Sequence, residues 1–437
     1  ADARHDRPAL LRALAGRDDL PTDETSLQQL AAAIARLPEP ALPRQLLVDV
    51  TAIARHDLKT GIERVVRMQA AELLRAPLPG WRVEPVYLTD EGGRWHYRYA
   101  RRYTAQLLGI KAELHDSVAD TGAGDVFYSA DYTPGAVLAA AQAGLYAHWR
   151  ARGVHVNFLV HDLLPVLRPE FFPSGADQNH GAWLRCIAAE ADRLICISDA
   201  VRQELREWLQ QQDAEASLPH LAVLHHGADI GAEAGASSAP SAPDAELARC
   251  TALPSFLMVG TIEPRKGHLQ ALDAFEQLWA DGVEAHLVIV GAEGWKPLPA
   301  HERRTIPRIV QRLRQHPQLG KRLFWLQGLD DHALQQLYRD SACLLVPSEG
   351  EGFGLPLIEA ASHGLPLLAR ALPVFREVAG EHAQYFDGTD GAALAGAVRA
   401  WLALDAQGKA PSSAGMPWQT WADNAVELLA VLRGERD

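Results

Sequence analysis

The chain has 437 residues, with 42 Lys and Arg against 55 Asp and Glu, a net charge of −13. With 48% hydrophobic residues, 34 Gly and 27 Pro, it can bury real cores in two or three domains and is neither disordered nor fibrous. The acidic balance argues against a sequence-independent grip on nucleic acid, which needs a net basic footprint, so any anion site must be local.

From Ser26 to Leu37, apolar residues fall at helical spacing until Pro38, Pro40 and Pro43 stop the run, so residues 1–44 read as a helical N-terminal extension. QLLVDVTAI (45–53) is a dense run of the buried parallel-strand type, and IERVVRMQAAELLR (62–75) after it is helical. The unit recurs in WRVEPVYL (81–88), DVFYSA (125–130), VHVNFLVHD (154–162), RLICISD (193–199) and LAVLHHG (221–227). Helical stretches at 136–150 and 200–212 alternate with them, which predicts a doubly wound parallel sheet over 45–235.

GAEAGASSAPSAPDAE (231–246) has no periodicity and reads as a linker or flexible loop, with the linker placed at 236–250. The pattern restarts with strands at 255–261, 285–291, 323–328, 342–348 and 365–370, giving a second Rossmann-like domain over 251–410. The tail, 411–437, holds an amphipathic helix with Trp421, Val426, Leu429 and Leu432 toward a core, packing back toward the first domain. The fold class expected is α/β, two doubly wound domains with a cleft between them.

Cys186, Cys196, Cys250 and Cys343 lack metal-ligand spacing and read as buried thiols of a reducing compartment. No apolar run reaches the roughly 18 to 20 residues of a membrane span, and the charged start is unlike a signal peptide, so a cytoplasmic protein is expected. The chain begins at Ala1 and not Met, as a processed protein or a part of a longer one would.

Ligands of open α/β sheets bind beyond the C-terminal strand ends, which singles out two segments of the second half. In PSEGEGFGLPLIEAASHG (347–364) a strand enters a Gly-rich loop and Pro356 opens a helix, so backbone N–H groups and a helix N-terminus suit a phosphate. Glu351 and Glu359 can line the same pocket and accept hydroxyl hydrogen bonds. VGTIEPRKGH (259–268) sets Arg265 and Lys266 just after a strand, as phosphate-binding cations or as a solvated charged turn.

These segments, with LVIVG and QGLDDHALQQLYRDSACLLVPSEGEGFGLPLIEAASHGLP, resemble the retaining glycosyltransferases of family 4, which have the GT-B fold. The resemblance spans about 45–432 and includes the two Glu residues separated by seven others. It implies transfer of a sugar from a nucleotide-sugar to an acceptor hydroxyl with retention, through a front-face mechanism. Arg265 and Lys266 would stabilise the leaving β-phosphate without a metal, and Ser348 belongs to the donor loop. Glu351 would contact the sugar's hydroxyls and Glu359 the ribose. The N–H groups of Phe353, Gly354 and Leu355 would face sugar or phosphate, and the backbone of Gly328 and Leu329 would meet the base.

Gly260 and Thr261 stand where many relatives carry Gly-Arg, and Arg265 substitutes for that Arg. Gly61, in TGIERVVR (60–67), matches the family's glycine loop at the donor phosphates, or simply caps a helix. His161 matches the active-site His near the reaction centre. Asp162 either orients His161, binds acceptor or is structural, and Ser198 and Asp229 either line the cleft or cap turns. His225, His226 and Asp229 are a weak metal set, and no metal is expected.

GGRWHYRYARRY (92–103) reads either as an acceptor-recognition face, through Arg94, Trp95 and Arg98, or as a solvated hairpin and helix. The variants TGIERVVR and GTIEPRKG resemble those of polysaccharide mannosyl- and rhamnosyltransferases, some within multi-domain chains. They imply mannose from GDP-mannose, or GDP-rhamnose or a UDP- or dTDP-sugar, and a lipid-linked glycan acceptor in O-antigen or other surface polysaccharide at the inner membrane. Further domains or polysaccharide-assembly proteins are the implied partners. A catalytically silent GT-B module and a nucleotide-sugar epimerase are the other readings; the epimerase would need no acceptor.

Overall fold

The computed structural model describes residues 23–35, 43–56, 61–76, 79–112, 114–213, 218–230 and 244–436, with Leu14 and Arg17. Most of the expected linker, 231–243, and Thr60 of the glycine loop lie outside the described residues.

The first sheet contains β1 (Arg44–Asp49), β2 (Trp81–Glu91), β3 (Arg94–Tyr99), β4 (Val126–Ser129), β5 (His155–Val160), β6 (Arg193–Cys196) and β7 (His220–Val223). Their order is β3-β2-β1-β4-β5-β6-β7, parallel except for the β2/β3 hairpin. The second sheet holds β8 (Ser255–Val259), β9 (His286–Val290), β10 (Leu323–Leu326), β11 (Cys343–Val346), β12 (Leu367–Arg370) and β13 (Ala383–Phe386). Its order, β10-β9-β8-β11-β12-β13, is parallel throughout. Each order reverses beside its first strand, so the switch points fall at the β1/β4 and β8/β11 ends, where ligands of such sheets bind.

These strands read as apolar runs because helices cover both faces. In β8, Phe256 and Met258 enter a core shared with helix His268–Ala280 and helix Gly391–Asp405. Leu257 points to the other face and joins a core that continues into the first domain. Full burial of each such side chain contributes about 1.5–3 kcal/mol.

Several expectations need correction. The first strand ends at Asp49 rather than Ile53, because the buried Asp49 carboxylate accepts bonds from the Thr51 amide and hydroxyl at 3.0 and 2.5 Å and turns the chain. The stretch 136–150 is two helices, Pro134–Gln142 and Leu145–Ala151, broken at Gly144 with φ 76°. Residues 244–250 are not linker but a helix, Asp244–Cys250, anchored by buried Leu247 and by the Cys250 carbonyl bonded to His286 Nδ1 at 2.9 Å. The sheet-edge strand β13, only four residues long, was not expected, whereas β3 and the helix Arg101–Leu107 follow the hairpin-and-helix alternative for 92–103. Of the four thiols, Cys196, Cys250 and Cys343 are buried and Cys186 is half-buried.

Helix Trp421–Leu432 packs on helix Gly61–Arg75 of the first domain, with Asn424 and Gln69 hydrogen-bonded at 3.0 Å. Trp421 and Leu432 are buried, but Val426 is 65% exposed; Asn424, Leu428 and Val431 occupy the inner face instead. The face is rotated because the chain reaches the helix through an anchored start, where the Trp421 amide donates to Asp229 at 2.6 Å and Thr420 and Asp423 form a capping box.

Candidate active site

The loops after β4 and β5 border one cavity with the loop after β8, and the loop after β5 also meets the loop after β11. Arg265 and Lys266 lie in the short helix Pro264–Lys266, which a tight turn at Gly267 (φ 74°) terminates. Both converge on Glu351: Arg265 Nη1 and Lys266 Nζ each reach a different carboxylate oxygen at 2.6 Å, and the three side chains are only 9–17% exposed. Arg265 also pairs with Glu263 at 3.1 Å and donates to the Gly350 carbonyl at 2.9 Å. Burial would raise the Glu351 pKa, but the two cations and the Ser348 hydroxyl outweigh it and hold it at about 2. Arg265 Nε is buried without a hydrogen-bond partner, a donor left for an anion. The Lys266 ammonium lies against Gly260, with Thr261 beside it, half-buried.

The Gly-rich loop is drawn close to the first domain. A Cβ at Gly352 would sit 1.9 Å from the His161 carbonyl oxygen, so only glycine fits this approach. Ser198 both caps helix Asp199–Gln212 and donates to the Gly352 carbonyl at 2.8 Å, which unites its two expected roles. The Phe353 ring packs on His225 and His226, at centroid distances of 5.3 and 5.1 Å. Gly354, at φ 98°, precedes helix Leu355–Ser362, whose first amides have no partner within the helix. His225 is engaged by Glu377 at 2.8 Å, and Asp229 by Trp421.

Glu359 is 4% exposed and accepts from Tyr338 Oη at 2.7 Å and from Arg64 Nη1 at 2.6 Å. Arg64 belongs to the helix that Gly61 begins. A Cβ at Gly61 would meet open space, so it is not demanded by packing. Gly328 and Leu329 follow β10, exposed and half-buried respectively. Sequence reasoning missed Arg64 and Tyr338; the only signal for Arg64 was its place three residues after Gly61.

His161 follows β5, buried, with Nε2 2.7 Å from the Ala130 carbonyl. That carbonyl can only accept, so Nε2 carries the proton and Nδ1 is the acceptor. Burial lowers the His161 pKa and keeps the ring neutral. His161, Asp162 and Arg265 border a cavity of about 410 Å³, within the usual range of about 300–1,000 Å³ for small-molecule sites. His180 is locked beside it: Nε2 donates to the Asp162 carbonyl at 3.0 Å, so Nδ1 accepts from Tyr132 Oη at 2.8 Å.

Across the cavity mouth, Trp295 and Arg304 of the second domain touch a single first-domain loop. Trp295 lies against Phe172 with centroids 6.2 Å apart, and Arg304 donates to the Phe172 and Pro169 carbonyls. They are the only non-glycine residues with positive φ among those described, 50° and 49°, a conformation that costs about 1–3 kcal/mol each.

Arg94, Trp95 and Arg98 are not brought to this cavity. They lie on β3, four strands from β5, or roughly 19 Å away at strand spacing. Tyr97 and Tyr99 of that strand turn inward, and Arg98 pairs with Glu91 at 2.8 Å.

The two sheets and their facing loops define a two-domain GT-B architecture, with Arg265 and Lys266 at the cleft. Residues 246–415 match the family of glycosyl transferases group 1. Sucrose-phosphate synthase from Thermosynechococcus elongatus shares the fold at TM-score 0.61 and 19% identity, covering 90% of this chain and 99% of that one. Anabaena Alr3699/HepE in complex with UDP and glucose does so at TM-score 0.55 and 17% identity, over 89% and 95%. The chain therefore has the GT-B fold, and its match to the group 1 glycosyl transferases is confined to residues 246–415. More specifically, it is 41% identical over 406 residues to the serotype-specific mannosyltransferase WbdA of Escherichia coli, covering 92% of this chain and 46% of that protein. It thus spans about half the length of the curated relatives it matches across most of its length. A shorter stretch of 138 residues is 31% identical to O-antigen chain mannosyltransferase B of Escherichia coli, covering 31% and 33%.

Proposed function

We propose that this chain is a retaining hexosyltransferase of the family 4 type, moving mannose from GDP-mannose to a hydroxyl of a lipid-linked glycan in O-antigen or related surface polysaccharide synthesis. The observation that carries this reading is the convergence of Arg265 and Lys266 on one buried carboxylate at the cleft, beside His161. The likeness to WbdA supports the sugar. No described helix is long and apolar enough to cross a membrane, and the proposed place of work is the cytoplasmic face of the inner membrane.

In this reading the donor diphosphate takes Arg265 and Lys266 as partners, using the unpartnered Arg265 Nε, while Ser348 and the Gly354 and Leu355 amides border it. The acceptor oxygen bonds to the anomeric carbon as the bond to the diphosphate breaks. The departing electron pair and the acceptor proton both end on the β-phosphate. Arg265 and Lys266 stabilise that growing charge as an oxyanion hole does, so the step requires no metal. Neutral His161 offers Nδ1 to a sugar hydroxyl, Glu351 holds donor hydroxyls and Glu359 the ribose. Asp162 contributes to acceptor binding at the cavity, and Arg94, Trp95 and Arg98 would meet only a remote part of a long acceptor.

Calorimetric titration of GDP, UDP and dTDP in EDTA tests this. Selective binding of GDP supports the reading. Preference for UDP or dTDP overturns the donor, and no binding to any of them leaves a silent cleft.

A further inference from the structure

We propose that the cavity beside His161 is the subsite for one pyranose ring of the acceptor, and that Trp295 of the second domain forms its closing wall. This rests on the glycosyl-transfer reading above. Acceptor selection is then shared between both domains, because the first domain alone leaves the cavity open on the Trp295 side.

Three observations carry the inference. The walls are aromatic, with Tyr132, Trp183, Phe172 and Trp295 presenting surfaces on which the C–H face of a sugar ring packs. Polar groups are interspersed: Asp162 and Asn179 border the cavity, and buried Trp183 has an indole N–H with no partner. The locked Tyr132–His180–Asp162 chain leaves the Tyr132 oxygen able to accept a hydroxyl. An apolar ligand would waste these groups, whereas a ring with hydroxyls at its edge satisfies them.

The third observation is the clasp. Trp295 and Arg304 both adopt left-handed backbone, and both spend it on the loop holding Phe172. Strain of this kind persists where the surrounding structure over-determines it, typically at ligand clamps. Here it turns the Trp295 ring to the cavity that Arg265 and His161 also border, so a ring bound there has a hydroxyl close to the proposed reaction centre. The hairpin bearing Trp95 has no such proximity.

The test uses the full chain with GDP-mannose and a fluorescently tagged α-mannobioside, with initial rates varied in each substrate and calorimetric titration of the mannobioside in the presence of GDP. W295A and F172A should raise the mannobioside KM and Kd about tenfold, a typical yield of one aromatic contact, while W295F restores most of the affinity. Donor KM and acceptor-independent hydrolysis of GDP-mannose should stay within about twofold. An unchanged mannobioside KM in W295A, or an equal rise in donor KM, overturns the subsite. If the wild type binds mannobioside through Trp295 yet transfers nothing, the transfer reading falls and the sugar subsite stands. If it transfers but W295A behaves as wild type, only the subsite falls. Absence of both binding and transfer removes both.

Discussion

Arg64 and Glu359, 295 positions apart, form an ion pair of 2.6 Å that ties the helix begun by Gly61 to the helix behind the Gly-rich loop. Glu359 is almost fully buried and Tyr338 takes its other oxygen, so the pair is a fixed strut between the two proposed halves of the donor site.

Removing one partner of such a pair leaves a buried charge, which costs more than the pair itself contributes. With Arg64 partly exposed, R64A should lose about 1–3 kcal/mol of stability and raise the donor KM, whereas R64K retains part of both. The R64A/E359Q double variant should lose no more than about the worse single one. Chemical denaturation and donor kinetics of R64A, R64K, E359Q and the double variant check this; additive losses would separate the two residues.

K266A and E351A should each lower kcat by about 100- to 1,000-fold, the first by removing a cation from the leaving phosphate and the second by freeing the donor hydroxyls and the two cations it positions. Far-ultraviolet circular dichroism should stay native. Normal turnover in either variant would sink the assignment of this cluster.

The pH dependence of stability follows from Glu351. Its folded pKa, about 2, lies below its ordinary value of 4.5, so the folded state binds fewer protons than the unfolded one between these limits. The resulting stabilisation, on the order of 3 kcal/mol, is complete above pH ~4.5 and disappears as pH falls toward 2. The stability difference between wild type and E351Q should therefore be flat from pH 7 to about 5 and shrink below that. Denaturant titration at stepped pH measures it, and a difference that persists unchanged at pH 3 contradicts it.

G352A inserts a methyl where the His161 carbonyl already sits, and backbone on both sides leaves little room to yield. The two domains should be forced apart, lowering activity by at least about tenfold at small cost to each domain's own core. Small-angle scattering and kinetics on one preparation test both halves of the expectation. S198A inserts nothing and removes the hydrogen bond to Gly352 together with the helix cap, so it should be milder, at about 0.5–1.5 kcal/mol from the bond plus about 1 kcal/mol from the cap.

Much of this arrangement was legible in the chain because parallel strands covered on both faces leave unbroken apolar runs, and ligand loops follow their C-terminal ends. Arg265, Lys266 and Glu351 could be singled out on that ground and His161 by the family resemblance, and the structure gathers the four in the cleft. The acceptor face was sought in GGRWHYRYARRY, because Arg among aromatic residues looks the same whether it faces a ligand or a sheet edge. Only the alternation of β3 decides that Tyr97 and Tyr99 face inward. Val426 was misplaced for a similar reason: helical spacing allows a family of faces, and the anchors at Asp229 and the Thr420 capping box select one.

Local patterning, carried by neighbouring residues, determined the strands, most of the helices, the two-sheet class and the cluster of residues at the strand ends. Partnerships made across hundreds of positions were left to the tertiary structure: Arg64 with Glu359, Gly352 with His161, Trp295 with Phe172. Such contacts depend on how two whole domains meet, and no period or spacing within either one encodes the distance between them.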